Sequence, residues 1–101
     1  MQKITTTIKR EWLQEIVACR KTVEYREIKP YWDSRLSTVK TPFALRLING
    51  MSASAPEVTV TVVKVRKNSR GGTYDLHLGK ILSVRNWDRR REALKLPRCS
   101  G

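Results

Sequence analysis

Lys21, Glu24 and Arg26 bring an ammonium, a carboxylate and a guanidinium into the run Lys21-Thr22-Val23-Glu24-Tyr25-Arg26. That set suits an anionic ligand. A guanidinium grips a phosphate through paired hydrogen bonds, an ammonium meets it as a point charge, and a carboxylate accepts from a base edge or a ribose hydroxyl. The same groups hold the parts for cutting a phosphodiester, with Glu24 or His77 taking the 2′-hydroxyl proton while Lys21 and Arg26 stabilise the charged transition state. In an extended run Thr22, Glu24 and Arg26 share one face, Val23 and Tyr25 take the other, and Lys21 swings in from the preceding turn. The plain alternative is a solvated strand face on which Glu24 pairs with Arg26, or with a cross-strand Arg46, for little stability.

Other residues bear on the same chemistry. His77 is the only histidine; its strand position puts it opposite Leu76 and Leu78 and on the face with Asp75, so a structural and a catalytic role both stand open. Tyr25, Tyr31 and Trp32 have the rings to stack bases, with a place in the core as the other reading of Tyr25. Trp12, at helical spacing, is expected in the core.

Net charge sets the class of partner. With 21 Lys and Arg against 9 Asp and Glu, the formal charge is +12, which points to an anionic partner: RNA or a nucleotide first, DNA second. Lys64, Arg66, Lys67 and Arg70 form one acid-free cluster, and Arg89-Arg90-Arg91 open another that continues through Lys95 and Arg98. Each is either a foothold on a phosphate backbone or a solvated hairpin tip and tail. Cys19 and Cys99 are too few, and too unlike a spaced ligand set, for a zinc site or a disulfide framework. Neither a metal nor a cofactor is expected. The polar start of the chain reads as no signal peptide, and no apolar run nears the ~20 residues that span a bilayer, so the expectation is a cytoplasmic protein without membrane contact. The oligomeric state is left open.

The elements that must position these groups follow from periodicity. Lys3 to Thr7 has the β-branched content of a strand, and Ile8 to Cys19 carries a one-sided helical stripe with Thr7 as N-cap, ending near Arg20. A strand from Thr22, one helical turn over Tyr31 to Leu36 started by Pro30, and a half-buried strand through Phe43, Leu45 and Leu47 come next. Glu57 to Arg66 is the clearest strand, with an apolar phase that flips at Val62-Val63 and calls for a bulge or two-sided burial. A hairpin over Lys67 to Gly72 returns a strand through Tyr74 to Val84, with a kink at Gly79. One helix followed by several strands, without strand-helix alternation, argues α+β with a mainly antiparallel sheet or small barrel.

Taken together, these residues resemble an ASCH domain, a small member of the PUA-like β-barrel superfamily, whose hallmark is Gly-x-Lys-x-x-Glu-x-Arg after the first helix. Lys21, Glu24 and Arg26 match its charged positions. Ile28-Lys29-Pro30-Tyr31-Trp32, Leu47-Ile48-Asn49-Gly50 and Leu76-His77-Leu78-Gly79 resemble a bacterial and phage subgroup of single-domain members. The resemblance covers about residues 3–87 and departs at the hallmark glycine, which is Cys19 here. A left-handed backbone at that position costs a non-glycine residue roughly 1 kcal/mol.

The resemblance implies a bent, partly closed barrel of five or six mostly antiparallel strands with two or three short helices over residues 1–87, followed by a basic tail, 88–101, that is a short helix or disordered. It implies RNA or nucleotide binding at a cleft formed by Lys21, Glu24 and Arg26. Tyr31, Trp32 and Arg46 are the further binding candidates, and Lys64, Arg66, Lys67 and Arg70 are expected on the nucleic-acid backbone. The alternative is a small ribonuclease or nucleoside amidohydrolase in which Lys21 and Glu24, with His77 as a further candidate, are catalytic. One branch of the family hydrolyses an acetylated cytidine with a Lys, a Thr and a Glu. The position of Glu24 is the Thr of that branch, and Thr22 is displaced by two, so that activity is not carried over. A third reading is a regulatory module whose basic surface meets an acidic protein.

Overall fold

Alternation of apolar and polar side chains builds most of one sheet. The computed structural model describes residues 1–87, in the order β1 (Lys3–Thr7), α1 (Arg10–Val17), β2 (Val23–Glu27), α2 (Pro30–Ser37), β3 (Phe43–Ile48), β4 (Glu57–Asn68) and β5 (Thr73–Arg85). The expected basic tail, 88–101, lies outside the described residues. The fold class is α+β, as the pattern predicts. Among the described residues the strands form one sheet in the order β1-β3-β4-β5-β2. β1 joins β3 in parallel and the other pairings are antiparallel, so the sheet is mixed. No helix among the described residues is long and apolar enough to cross a membrane.

The core lies on the concave side. Phe43, Leu45 and Leu47 of β3 meet Val58, Val60 and Val62 of β4, each essentially without solvent contact. Burial of a side chain of this kind is worth about 1.5–3 kcal/mol. Against them α1 lays Leu13, Ile16 and Val17, and α2 contributes Trp32.

Irregularities in β4 and β5 bend the sheet. Val63 is exposed, and the register passes from Val62↔Leu78 to Lys64↔His77, so β4 advances two residues while β5 advances one. This is the bulge that the phase flip calls for. On β5 the excess falls between Leu78 and Ile81, where Gly79 sits. A Cβ at Gly79 would approach Thr61 Oγ1 to 2.6 Å and Val63 Cγ1 to 2.8 Å, so the kink requires glycine. The Thr61 hydroxyl accepts instead from the Lys80 N–H at 2.8 Å.

Among the described residues β1 and β2 are the two edges and do not pair with each other. Arg26 Nη2 of β2 donates to the Thr7 carbonyl at the end of β1, at 2.9 Å. A guanidinium therefore bridges the seam of this half-barrel.

Helix boundaries differ from the periodic reading for local reasons. α1 starts at Arg10 with Lys9 as N-cap, and Thr7 stays in β1. The ladder wins there, because the Ile8 N–H continues it by donating to the Ile48 carbonyl at 3.0 Å. At the other end Arg20 N–H donates to the Glu15 carbonyl (2.9 Å) and Cys19 N–H to that of Ile16 (3.0 Å), with Cys19 at φ 61. This Schellman turn puts Cys19 in the left-handed conformation. α2 is longer than one turn and begins with Pro30 in its first turn.

Candidate functional site

Among the described residues only β5 flanks β2, and that pairing fixes where the side chains of β2 point. Glu24 lies opposite Leu76 and Arg26 opposite Tyr74, both buried, whereas Tyr25 lies opposite Asp75. Glu24 and Arg26 thus share the inner face and Tyr25 the outer one, as the alternation predicts. Lys21 precedes the strand, its N–H held by the Glu15 carbonyl at 3.1 Å. All three converge: Glu24 Oε2 accepts from Arg26 Nη2 at 2.6 Å, and Oε1 is 3.4 Å from Lys21 Nζ. Glu24 is only 5% exposed. A carboxylate at that depth needs such partners, and two cations around it leave one positive charge in surplus.

The cluster lines a cleft of about 900 Å³ at the seam, bounded by Trp12 of α1, Tyr25 of β2 and Trp32 of α2. Lys21 Nζ stands 5.0 Å from the Trp12 ring centroid and 5.2 Å from that of Tyr25, within cation–π range of both. Trp12 and Tyr25 are 47% and 57% exposed, so each keeps ring surface for a ligand. This corrects the reading of Trp12 as core and settles Tyr25 as a surface ring. Leu13, Ile16 and Val17 fill the buried stripe of α1, and Trp12 stands one step off it, turned to the cleft. That offset was the only signal by which the sequence marked it.

α2 supplies the far wall. Trp32 faces the cleft but is buried, with the Arg26 guanidinium 5.5 Å from its ring centroid, so it packs rather than offering a face to a base. The helix is tied to β5 by the Tyr74 hydroxyl, which donates to Asp33 Oδ1. That bond first, burial second and the negative charge of Asp33 third raise the Tyr74 pKa above the ordinary 10.0.

The other expected residues are placed elsewhere. Tyr31 and Arg46 line a neighbouring depression, where Arg46 pairs with Glu57 rather than Glu24. Lys64 and Arg66 project from the outer face of β4 opposite His77 and Asp75, and Arg70 is exposed in the hairpin turn. Lys67 turns the other way, with Nζ 5.7 Å from the Tyr74 ring centroid. His77 pairs with Val23 and so faces away from Glu24; it does not line the cleft. Among the described residues no three His, Cys, Asp or Glu side chains gather to hold a metal ion.

Compared with models of known protein families and with curated protein sequences, the chain matches none.

Proposed function

We propose that the protein is a nucleotide- or RNA-binding domain of the ASCH, PUA-like type, whose seam cleft takes a nucleotide of single-stranded RNA. The observation that carries this reading is the gathering of Lys21, Glu24 and Arg26 in one cleft between two exposed rings, Trp12 and Tyr25. Phosphate meets Lys21 and Arg26, and a base stacks on Trp12 or Tyr25. From Tyr25 the outer face continues across β5 to Arg66 in direct register, Tyr25↔Asp75 and Asp75↔Arg66, towards the basic hairpin. Beyond Asp75, Lys64 and Arg66 on that face and Arg70 in the turn offer the flanking backbone a cationic patch.

The alternative, a ribonuclease or amidohydrolase using the same cleft, has weaker support. Both Glu24 oxygens already face cations, and His77 points to the opposite side of the sheet. Neither is set to take a proton from a ligand in the cleft.

A labelled single-stranded RNA octamer, titrated by fluorescence anisotropy across a salt series, tests the proposal. Affinity should fall with salt by a log–log slope of about −0.7 for each phosphate engaged. Trp12→Ala should weaken binding by about 1–3 kcal/mol, the worth of a stacked base, and Lys21→Ala should weaken it and flatten the slope. No binding at low salt, or binding indifferent to salt, sinks the reading. A time course with the same RNA checks the alternative, for which cleavage lost in Lys21→Ala and Glu24→Ala is the expected mark.

A further inference from the structure

Beside the cleft lies a second cluster built on the same plan. Glu57, at the start of β4, is 6% exposed. Its Oε2 accepts from Arg46 Nε of β3 at 2.7 Å, and its Oε1 is 3.8 Å from Arg85 Nη1 of β5. The two arginines flank β4 from opposite sides, and the carboxylate draws them over a depression of about 810 Å³. Thr5, Thr7 and Tyr31 complete the wall.

Burial of Glu57 does not account for both arginines. Arg46 alone meets its need for a hydrogen-bonded cation. Arg85, 69% exposed at the side chain and beyond hydrogen-bond distance, adds little to stability. Among the described residues the Nη groups of Arg46, the Arg85 guanidinium and the hydroxyls of Thr5, Thr7 and Tyr31 make no hydrogen bond within the protein. What remains is a set of donors around a hollow with one positive charge in surplus. Held by a shared carboxylate, the Arg46 guanidinium loses less side-chain freedom when a ligand arrives.

The two hollows adjoin. Thr7 lines both, and on α2 Tyr31 faces this one while its neighbour Trp32 faces the cleft. We infer that the Arg46–Arg85 depression is a second phosphate site, which takes a backbone phosphate of the same RNA strand whose nucleotide occupies the Lys21–Arg26 cleft. The ligand is then an oligonucleotide rather than a mononucleotide. This rests on the RNA reading above and narrows its substrate class.

Arg85→Gln and Thr5→Val change exposed groups and leave the Arg46–Glu57 pair intact. The octamer should bind Arg85→Gln about five- to tenfold more weakly, with a salt slope shallower by about 0.7, one phosphate. Uridine, which carries no phosphate, should bind wild type and Arg85→Gln equally. In NMR titrations of the free protein, inorganic phosphate should shift the side-chain NεH resonances of Arg46 and Arg85 and the Thr7 amide, and the Thr7 shift should shrink in Arg85→Gln. An octamer that binds wild type and Arg85→Gln alike overturns the second site and leaves the RNA reading standing. No octamer binding, with the phosphate shifts present, overturns the RNA reading and the shared-strand inference but keeps an anion site. A poly-glutamate peptide that displaces phosphate while RNA does not makes the occupant an acidic protein and overturns the inference.

Discussion

At the scale of single residues, one side chain sits at odds with its backbone. Cys19 holds φ 61 in the turn that aims Lys21 at Glu24, and an L-residue there lacks the freedom of glycine. Cys19 is disulfide-bonded, contrary to the expectation from its spacing, so the comparison is made with both proteins fully reduced. There Cys19→Gly should raise stability by about 0.5–1 kcal/mol, read as a higher urea midpoint at unchanged m-value. Without reductant it should lower the midpoint through loss of the cross-link. A lower midpoint in the reduced state would mean that the side chain contributes more than its backbone costs. Lys21, Glu24 and Arg26 were legible in the sequence because strand alternation is local: whatever flanks the strand, residues 24 and 26 share a face. Trp12 was not, since rotation of an amphipathic helix about its stripe is decided by what it packs on. The pairing of Glu57 with Arg46 and Arg85 was hidden more deeply, because it depends on the registers of three strands and on slips between two of them.

Among the elements, α2 is the one whose attachment titrates. The Tyr74–Asp33 bond fastens it to β5 and so fixes Trp32 and Tyr31 against the two hollows. A phenol whose native pKa lies above its unfolded value holds its proton more tightly when folded. Its contribution is whole below pH 10.0 and is lost as pH rises through the elevated native value. Subtracting the stability of Tyr74→Phe from that of wild type should give a difference that is flat below pH 10.0 and declines above it. A difference that grows with alkalinity would contradict the assignment. Sequence pattern located the five described strands and the phase flip at Val62-Val63, because β-branched alternation is written into β4 itself. That the flip is a bulge and not two-sided burial follows from the exposure of Val63 and the register slip. The pattern misplaced the start of α1 because the competing bond, Ile8 to Ile48, comes from a strand far along the chain. The parallel pairing of β1 with β3 was likewise invisible, since nothing within five residues of strand states its neighbour's direction.

For the whole molecule, the open seam is the defining trait. Among the described residues five strands curl, two edges remain, and Arg26 spans them while also neutralising Glu24. Arg26→Gln should cost on the order of 2–3 kcal/mol, below the 3–5 of a buried pair broken outright because Lys21 remains beside Glu24. Native-state hydrogen exchange should locate the loss, with amides of β1 and β2 opening sooner while those at the centre of β4 keep their protection. Uniform acceleration across the sheet would mean that the bridge supports the core and not the seam. The same bridge bears on how copies of the chain treat one another. Bare strand edges are templates for edge-to-edge joining, and charge is a common guard against it. A strand from a second molecule that entered this gap would have to strip water from Lys21 and displace the guanidinium from Glu24 and the Thr7 carbonyl. Held between Glu24 and the Thr7 carbonyl, that cation thereby guards the sheet against extension into a neighbour.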